Sequence, residues 1–286
     1  ILNFTKIFDM NYKVELSILI LTWNSIGYLK NCLKSIFNNL PSCDYEIILV
    51  DNFSNDLSVE YVEKHYPSVK IIKNKKNLGV GPGRNVGFKQ CIGEYIFSID
   101  VDTKINKTTI PELLKYIKMD EKVGVCGSKL FYENGTLLRS CRPFPTVQSK
   151  FARRFPIKKI REKFIHSAHY QNYNYEEPIF VGYVIGACQM IRREVIEKLN
   201  GYDERWYYGP EDFDFCLRAW KLNFKVLYVP SSTMIHVDQR ITAEVKNIFS
   251  RQTLSNVFGT FSYFMKHKYL FFNPKPEKNH FFEQKK

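Results

Sequence analysis

The chain has 286 residues, 44% of them hydrophobic and 25% charged, and a formal net charge of +13 from 42 Lys+Arg against 29 Asp+Glu. This is the composition of a globular protein of one or two domains, and no apolar run reaches the roughly 18 residues that a spanning helix needs. The charge excess suggests an anionic partner: nucleic acid, an anionic membrane surface or a phosphorylated substrate.

Residues 1–11 are short and mixed, and read as neither a signal peptide nor a membrane span. Residues 15–22 (ELSILILT) form a near-continuous apolar run, the pattern of a strand buried on both faces. Apolar residues at 26, 29, 33, 36 and 37 predict a helix over 26–38. Residues 45–50 predict a second strand ending in a turn-rich cluster from Asp51 to Asp56, then a helix over 58–65 and a short strand over 69–72. Residues 77–87 (NLGVGPGRNVG) predict a glycine-rich loop leading into a helix that runs to about 91. A fourth strand over 94–100, a helix over 110–118 capped by Thr108 or Thr109, and a strand over 123–131 complete the alternation. Strand and helix alternating in this way predict an α/β fold with a mainly parallel sheet flanked by helices.

Beyond this, residues 133–136 predict a hairpin turn into a strand over 137–140. Residues 141–178 have no clean period and read as an insertion or mobile loop with one helix near 158–166. From Arg139 to Lys163 nine Lys/Arg stand against one acid, Glu162. Residues 180–192 are strand-like but broken by Gly182 and Gly186, 193–199 a short helix closed by Asn200-Gly201, and 210–222 a helix opened by Pro210. Short strands over 225–229 and 233–237 are split by Pro230, and 242–268 is helical in pattern. The seven cysteines are scattered, odd in number and without a C-x-x-C pair, which favours reduced, buried thiols in a cytosolic protein.

Several clusters carry chemistry. Asp100 and Asp102 close the fourth strand, and strand periodicity puts both on one side with Cα atoms roughly 6.5–7 Å apart. Two hard oxygen ligands suit Mg²⁺ or Mn²⁺; the alternative is a polar loop start. The spacing of Gly79, Gly81 and Gly83 fails the dinucleotide fingerprint because residues 74–78 and Pro82 intervene. The glycines then serve a plain turn or a close backbone approach to a ligand, with Arg84 as a fixed cation. Asp51 is either a turn cap or a partner for a ribose or base. Glu211, Asp212 and Asp214 open a helix, where acids suit the dipole. Helical spacing puts Asp212 on the apolar stripe with Phe215, Cys216 and Ala219, and Glu211 and Asp214 to the sides, so Asp212 is the candidate general base. His236 is either a core residue or a metal ligand completing a site with Asp102. The last helix either packs on the domain or lies on an anionic membrane.

In this order, the segments SILILTWNSIGYLKNCLKSI, EIILVDNFSND, NLGVGPGRNVG, YIFSIDVDT, VIGACQMIRREVIEKLNGYDERWYYGPEDFDFCLRAWKLNFKVLYVPSSTMIH and the RQTLSN start of the last helix resemble the family 2 inverting glycosyltransferases of GT-A fold, particularly their rhamnosyltransferase-like branch. The resemblance covers most of the chain except about 141–178. It implies a GT-A domain over 12–240, with a Rossmann-like nucleotide-binding half (1–131), an acceptor half (179–240) and the basic insertion, followed by a C-terminal helix and tail (241–286). It also implies that Thr22, Asn24, Asp51 and Arg84 hold the nucleotide and that Asp100 contacts the ribose or the ion. Asp102 and His236 bind Mg²⁺ or Mn²⁺. Asp212 is the base with Glu211 beside it, and Gly186-Ala187 floor the sugar pocket. The implied donor is a UDP- or dTDP-linked sugar and the implied acceptor a glycan or lipid-linked hydroxyl. The expected place is the cytoplasm, with peripheral contact to an anionic membrane. Two rivals stand beside this reading: a metal-dependent nucleotidyltransferase and a basic nucleic-acid binder. The second is disfavoured because the basic cluster has few interleaved aromatics.

Overall fold

The computed structural model describes residues 13–147, 149, 175–237 and 251–268. Most of the basic cluster, the helix expected near 158–166, the N-terminal stretch and the tail lie outside the described residues.

Strand β1 (Val14–Thr22) is followed by α1 (Ile26–Phe37), β2 (Tyr45–Asp51), α2 (Ser58–His65), β3 (Lys70–Lys73), α3 (Val80–Phe88) and β4 (Gly93–Asp100). Next come β5 (Thr103–Ile105), α4 (Thr109–Met119), β6 (Val123–Phe131), β7 (Leu137–Leu138), β8 (Cys141–Arg142), β9 (Ile179–Phe180), β10 (Tyr183–Val184) and β11 (Cys188–Arg192). The last elements are α5 (Arg193–Leu199), α6 (Glu211–Lys221), β12 (Lys225–His236) and α7 (Arg251–His267). The main sheet runs β3-β2-β1-β4-β11-β6-β12-β5, with β7 beside β6 and β9 beside β12; β8 and β10 form a separate pair.

Strands β3, β2, β1 and β4 are mutually parallel. β11 then enters antiparallel between β4 and β6, and β12 pairs parallel with β6 and antiparallel with β5. The sheet is therefore parallel on one side and mixed on the other.

Alternation along the strands divides the core. Leu16, Ile18 and Ile20 of β1 face one layer, built on Leu29, Leu33 and Ile36 of α1 and Ile110, Leu113 and Ile117 of α4. Leu19, Ile48, Val50 and Ile96 face the other, with α3, α5, α6 and Tyr263 and Phe264 of α7. This is the period-two pattern of strands covered on both faces. All seven cysteines are free thiols, and six are buried.

Four expectations change. The stretch read as a glycine-rich loop is already helical from Val80; Gly79 at its N-cap keeps the turn role with φ 90°, while Gly87 serves packing, since a Cβ there would lie 2.3 Å from Leu19 Cδ1 and 3.0 Å from Val50 Cγ2. The strand split by Pro230 is one element, β12, with its irregularity between Val229 and Thr233. The run 137–140 is a strand only over Leu137–Leu138. Finally, Asp102 is not in a strand: β4 ends at Asp100, and a tight turn leads into the three-residue β5.

Candidate functional site

Beyond the carboxyl ends of the parallel strands lie the residues expected to hold a nucleotide, the usual ligand position in such sheets. Thr22 and Asp51 are register partners at the last rung of β1 and β2. Both are buried, and Thr22 Oγ1 has no hydrogen-bond partner among the described residues. Asp51 accepts the Ser54 N–H at 3.2 Å on each oxygen, closing an Asx-type turn. Asn24 is exposed and in the left-handed region (φ 46°), its Oδ1 accepting from Asn55 N at 2.8 Å, while its own N–H donates to Ser54 Oγ at 2.9 Å. Asp56 Oδ2 accepts from Ile26 N at 2.8 Å, so the loop after β2 caps the helix after β1. Trp23, Phe53 and Leu57 are exposed in these loops.

Asn52 carries more of this end than the sequence suggested. Its Nδ2 donates to Asn77 Oδ1 and Gly79 O, both at 3.0 Å, and its Oδ1 accepts from Leu78 N and Asn74 Nδ2, both at 3.0 Å. A buried amide with every polar atom paired fixes the entry to α3. Asn85 does the same for the next segment. Its Oδ1 accepts from Tyr202 N at 2.8 Å and its Nδ2 donates to Tyr202 O at 2.9 Å. The available signal was an Asn directly following a site residue in each case, Asp51 and Arg84.

Asp100, Asp102 and His236 converge, with one ligating atom from each lying within 4.8 Å of the others. The strand pleat does not bring the acids together. The β4–β5 turn does, and the antiparallel β5–β12 ladder sets His236 opposite Thr103. Asp102 O accepts from Val237 N at 2.9 Å, and His236 Nε2 is 3.2 Å from Asp102 Oδ1. The three residues are half-buried.

Asp100 is met by a cation from outside its strand. Arg84, buried in α3, bonds Asp100 through Nη2, which also donates to Gly186 O at 2.9 Å. Burial opposes the Arg84 charge, but Asp100, Tyr202, Glu211 and Asp212 outweigh it and raise its pKa. Arg84 is therefore a brace beneath the site rather than an open cation. Its Nε and Nη1 have no hydrogen-bond partner among the described residues. Burial raises the Asp100 carboxyl, Arg84 opposes this, and Asp102 adds to it. Gly186 lies against the guanidinium, since a Cβ there would be 2.8 Å from Arg84 Nη1.

Across from these acids, α6 opens with Glu211 and Asp212. Asp212 Oδ2 accepts from Gly186 N at 3.3 Å and its Oδ1 from Phe213 N at 2.7 Å. Gly186 thus touches both Arg84 and Asp212, linking the two sides of the site. Asp212 is half-buried, whereas Glu211 and Asp214 are buried, which reverses the expected helix face. The reason is α7, which covers what would otherwise be the side of α6. Lys266 Nζ and His267 Nε2 each reach Asp214 Oδ1 at 2.7 Å, and Arg218 Nε donates to Asp214 Oδ2 at 2.7 Å. Glu211 Oε2 has no hydrogen-bond partner among the described residues, and burial, then the neighbouring Asp212, push its carboxyl up to about 7. Tyr208 precedes this helix. Burial, then Glu211, Asp100, Asp212 and Asp102, raise its phenol, which places the ring among the site's carboxylates.

A mainly parallel α/β sheet with acids at the end of a central strand and a second acidic turn facing them is the arrangement of GT-A glycosyltransferases. The model of Glycosyl transferase family 2 matches residues 17–200, and the chain belongs to that family. A second model, described as the N-terminal domain of galactosyltransferase, matches residues 162–240. An uncharacterized glycosyltransferase of Methanocaldococcus jannaschii is 25% identical over 219 residues, 74% of this chain and 67% of that protein. The N-acetylglucosaminyl-diphospho-decaprenol L-rhamnosyltransferase of Mycobacterium tuberculosis is 24% identical over 210 residues, 66% of each chain. A mannosyltransferase from Pyrobaculum calidifontis in complex with GDP-Man and Mn2+ superposes with a TM-score of 0.61 at 14% identity, over 92% of this chain and 67% of that one. The chain thus spans about two thirds of the length of these relatives. Among the described residues no helix is long and apolar enough to cross a membrane.

Proposed function

We propose that the chain is a metal-dependent inverting glycosyltransferase. It moves a sugar from a UDP- or dTDP-linked donor to a hydroxyl of a glycan or lipid-linked acceptor, in cell-surface polysaccharide or glycolipid assembly. The observation that carries this reading is the convergence of Asp100, Asp102 and His236 at the end of the sheet in a chain of this family. Two carboxylates and an imidazole form a donor set that fits Mg²⁺ or Mn²⁺. An ion held by Asp102 and His236 would stabilise charge on the departing diphosphate.

The protein's own groups do the rest. Thr22, Asn24 and Asp51 hold the base and ribose beyond β1 and β2, and the orphaned Thr22 hydroxyl is one available donor. Arg84 offsets part of the burial penalty on Asp100 and aims its carboxylate. Gly186-Ala187 floor the sugar pocket, with Gly186 joined to both Arg84 and Asp212. Asp212, held in one orientation by two backbone N–H groups, takes the proton of the attacking acceptor hydroxyl. Glu211 beside it orients acceptor or sugar. A single displacement inverts the anomeric carbon. In this scheme residues 1–131 form the nucleotide-binding half and 179–240 the acceptor half. The mycobacterial relative, named for a diphospho-decaprenol substrate, supports a lipid-linked acceptor.

The test is a thermal-shift panel of sugar nucleotides with and without Mn²⁺. Stabilisation by UDP- or dTDP-sugars that requires the metal, followed by release of nucleoside diphosphate on turnover, is the expected result. Release of pyrophosphate would make the chain a nucleotidyltransferase, and no response to any nucleotide would reject the reading.

A further inference from the structure

The C-terminal helix α7 has two apolar faces. The inner one is spent on the fold: Tyr263 packs edge-on against Phe213 at 4.7 Å, and Tyr263 and Phe264 are fully buried. The outer one carries Leu254, Phe258, Phe261 and Met265, which are 40%, 68%, 59% and 59% exposed. Their spacing of four, three and four residues puts them on one stripe of the helix. Four large apolar side chains in a row on a soluble surface mark an interaction site rather than scattered exposure.

We propose that this stripe docks the protein on an anionic lipid surface, with α7 lying in the plane of the interface. Charge selects this occupant. Lys266 and His267 are spent on the inner face, but the helix has no acid, Lys268 follows it directly, and from residue 251 to the end the sequence has seven Lys/Arg against two Glu. Positive charge flanking an apolar stripe complements anionic headgroups, and the two attractions add. The same charge opposes a second copy: two chains of net charge +13 meeting through this helix would repel.

The inner face ties the docked helix to the candidate site. Ser255 Oγ accepts from Tyr208 N at 3.0 Å and donates to Tyr208 O at 3.1 Å. Lys266 bridges Asp214 of α6 and Asp203 at 2.7 and 2.8 Å. With Lys221 Nζ donating to His267 Nδ1 at 2.9 Å, His267 Nε2–H donates to Asp214. Lipid contact on one side of α7 is thus one helix diameter from the start of α6. Docking itself requires no assumption about the reaction, so it stands or falls apart from the transferase reading.

The experiment is co-sedimentation of the full chain with phosphatidylcholine vesicles, with and without phosphatidylglycerol. The wild type should partition onto the anionic vesicles at least about tenfold more strongly, less so at high salt. The triple variant Phe258→Ser, Phe261→Ser, Met265→Ser should lose at least about tenfold of that partitioning with an unchanged thermal midpoint, and Phe258→Ser alone should lose less. Phe258→Ser keeps the result readable if the triple variant is unstable. Two results would overturn the proposal. One is variants that bind vesicles like the wild type. The other is a wild type that ignores vesicles and runs as a dimer which the triple variant dissolves, making a second copy the occupant.

Discussion

In the parallel part of the sheet, β3-β2-β1-β4, a residue's role follows from its distance to the end of a strand. In the mixed part, β11-β6-β12-β5 and the helices covering it, the role follows from which distant segment is packed over it. Thr22, Asp51 and Asp100 belong to the first kind: each is the last residue of its strand. Asp212, Asp214 and His236 belong to the second. His236 meets Asp102 only because β12 pairs with β5, and Asp214 is buried only because α7 lies over α6. The lesson is that strand ends place their residues by local rule, while the α6 side of the candidate site is assembled by long-range contacts that one sequence does not display.

The sharpest way to break this comparison is at the assembled side. Asp212→Asn should lower turnover by about 10²–10⁴-fold while leaving nucleotide binding intact, since general-base removal costs about that much. Steady-state kinetics beside a nucleotide titration checks it, and unchanged turnover would remove Asp212 from the role. Next in size is Asp214→Ala. It leaves Arg218, Lys266 and His267 facing one another without their shared carboxylate, and should cost about 3–5 kcal/mol in urea unfolding. Burial would raise the Asp214 carboxyl, but His267, Arg218 and Lys266 lower it. This contribution is therefore present above the ordinary carboxylate range and is lost as pH falls through the depressed value. A loss below about 1 kcal/mol would mean that α7 is only loosely joined to α6.

The local side makes a smaller prediction. Gly87→Ala puts a methyl against Leu19 and Val50 and should cost about 1–3 kcal/mol by overpacking, read as a lower urea midpoint with the same slope. A neutral substitution would return the glycines to the loop role expected from the sequence. The smallest effect concerns pH. Glu211 is raised from 4.5 to about 7, so the folded protein holds its proton more tightly than the unfolded chain does. Its share of stability is then greatest at low pH and falls as pH rises through about 4.5 to 7. Glu211→Gln should flatten that segment of the stability profile, measured as urea midpoints across the range. An unaltered slope would contradict the burial-driven shift.

Much of the fold was legible because its signals are local. The apolar run 15–22, the turn cluster after Asp51 and the 26-29-33-36 stripe map onto β1, the β2–α2 loop and α1 with ends shifted by a residue. The helix face of α6 was not, because a hydrophobic stripe read from one element ignores a second helix that supplies cations. The charges of Asp214 are answered by residues 52 and 53 positions away. The glycines of α3 were misread for a related reason. Glycine in a short segment signals a turn unless one sees that β1 and β2 approach closely enough to forbid a Cβ. Arg84 likewise looked like an open cation until Asp100 and Gly186 were seen to enclose it.

The central claim is that Asp102, in the β4–β5 turn, and His236, at the end of β12, act together on a diphosphate. The direct measurement is calorimetric titration of UDP and dTDP into the wild type, Asp102→Ala and His236→Ala, each with and without Mn²⁺. The account predicts Mn²⁺-dependent binding of one nucleotide to the wild type and its loss in both variants, with thermal unfolding little changed. Nucleotide binding that ignores Mn²⁺, or that survives both substitutions at wild-type affinity, would contradict it.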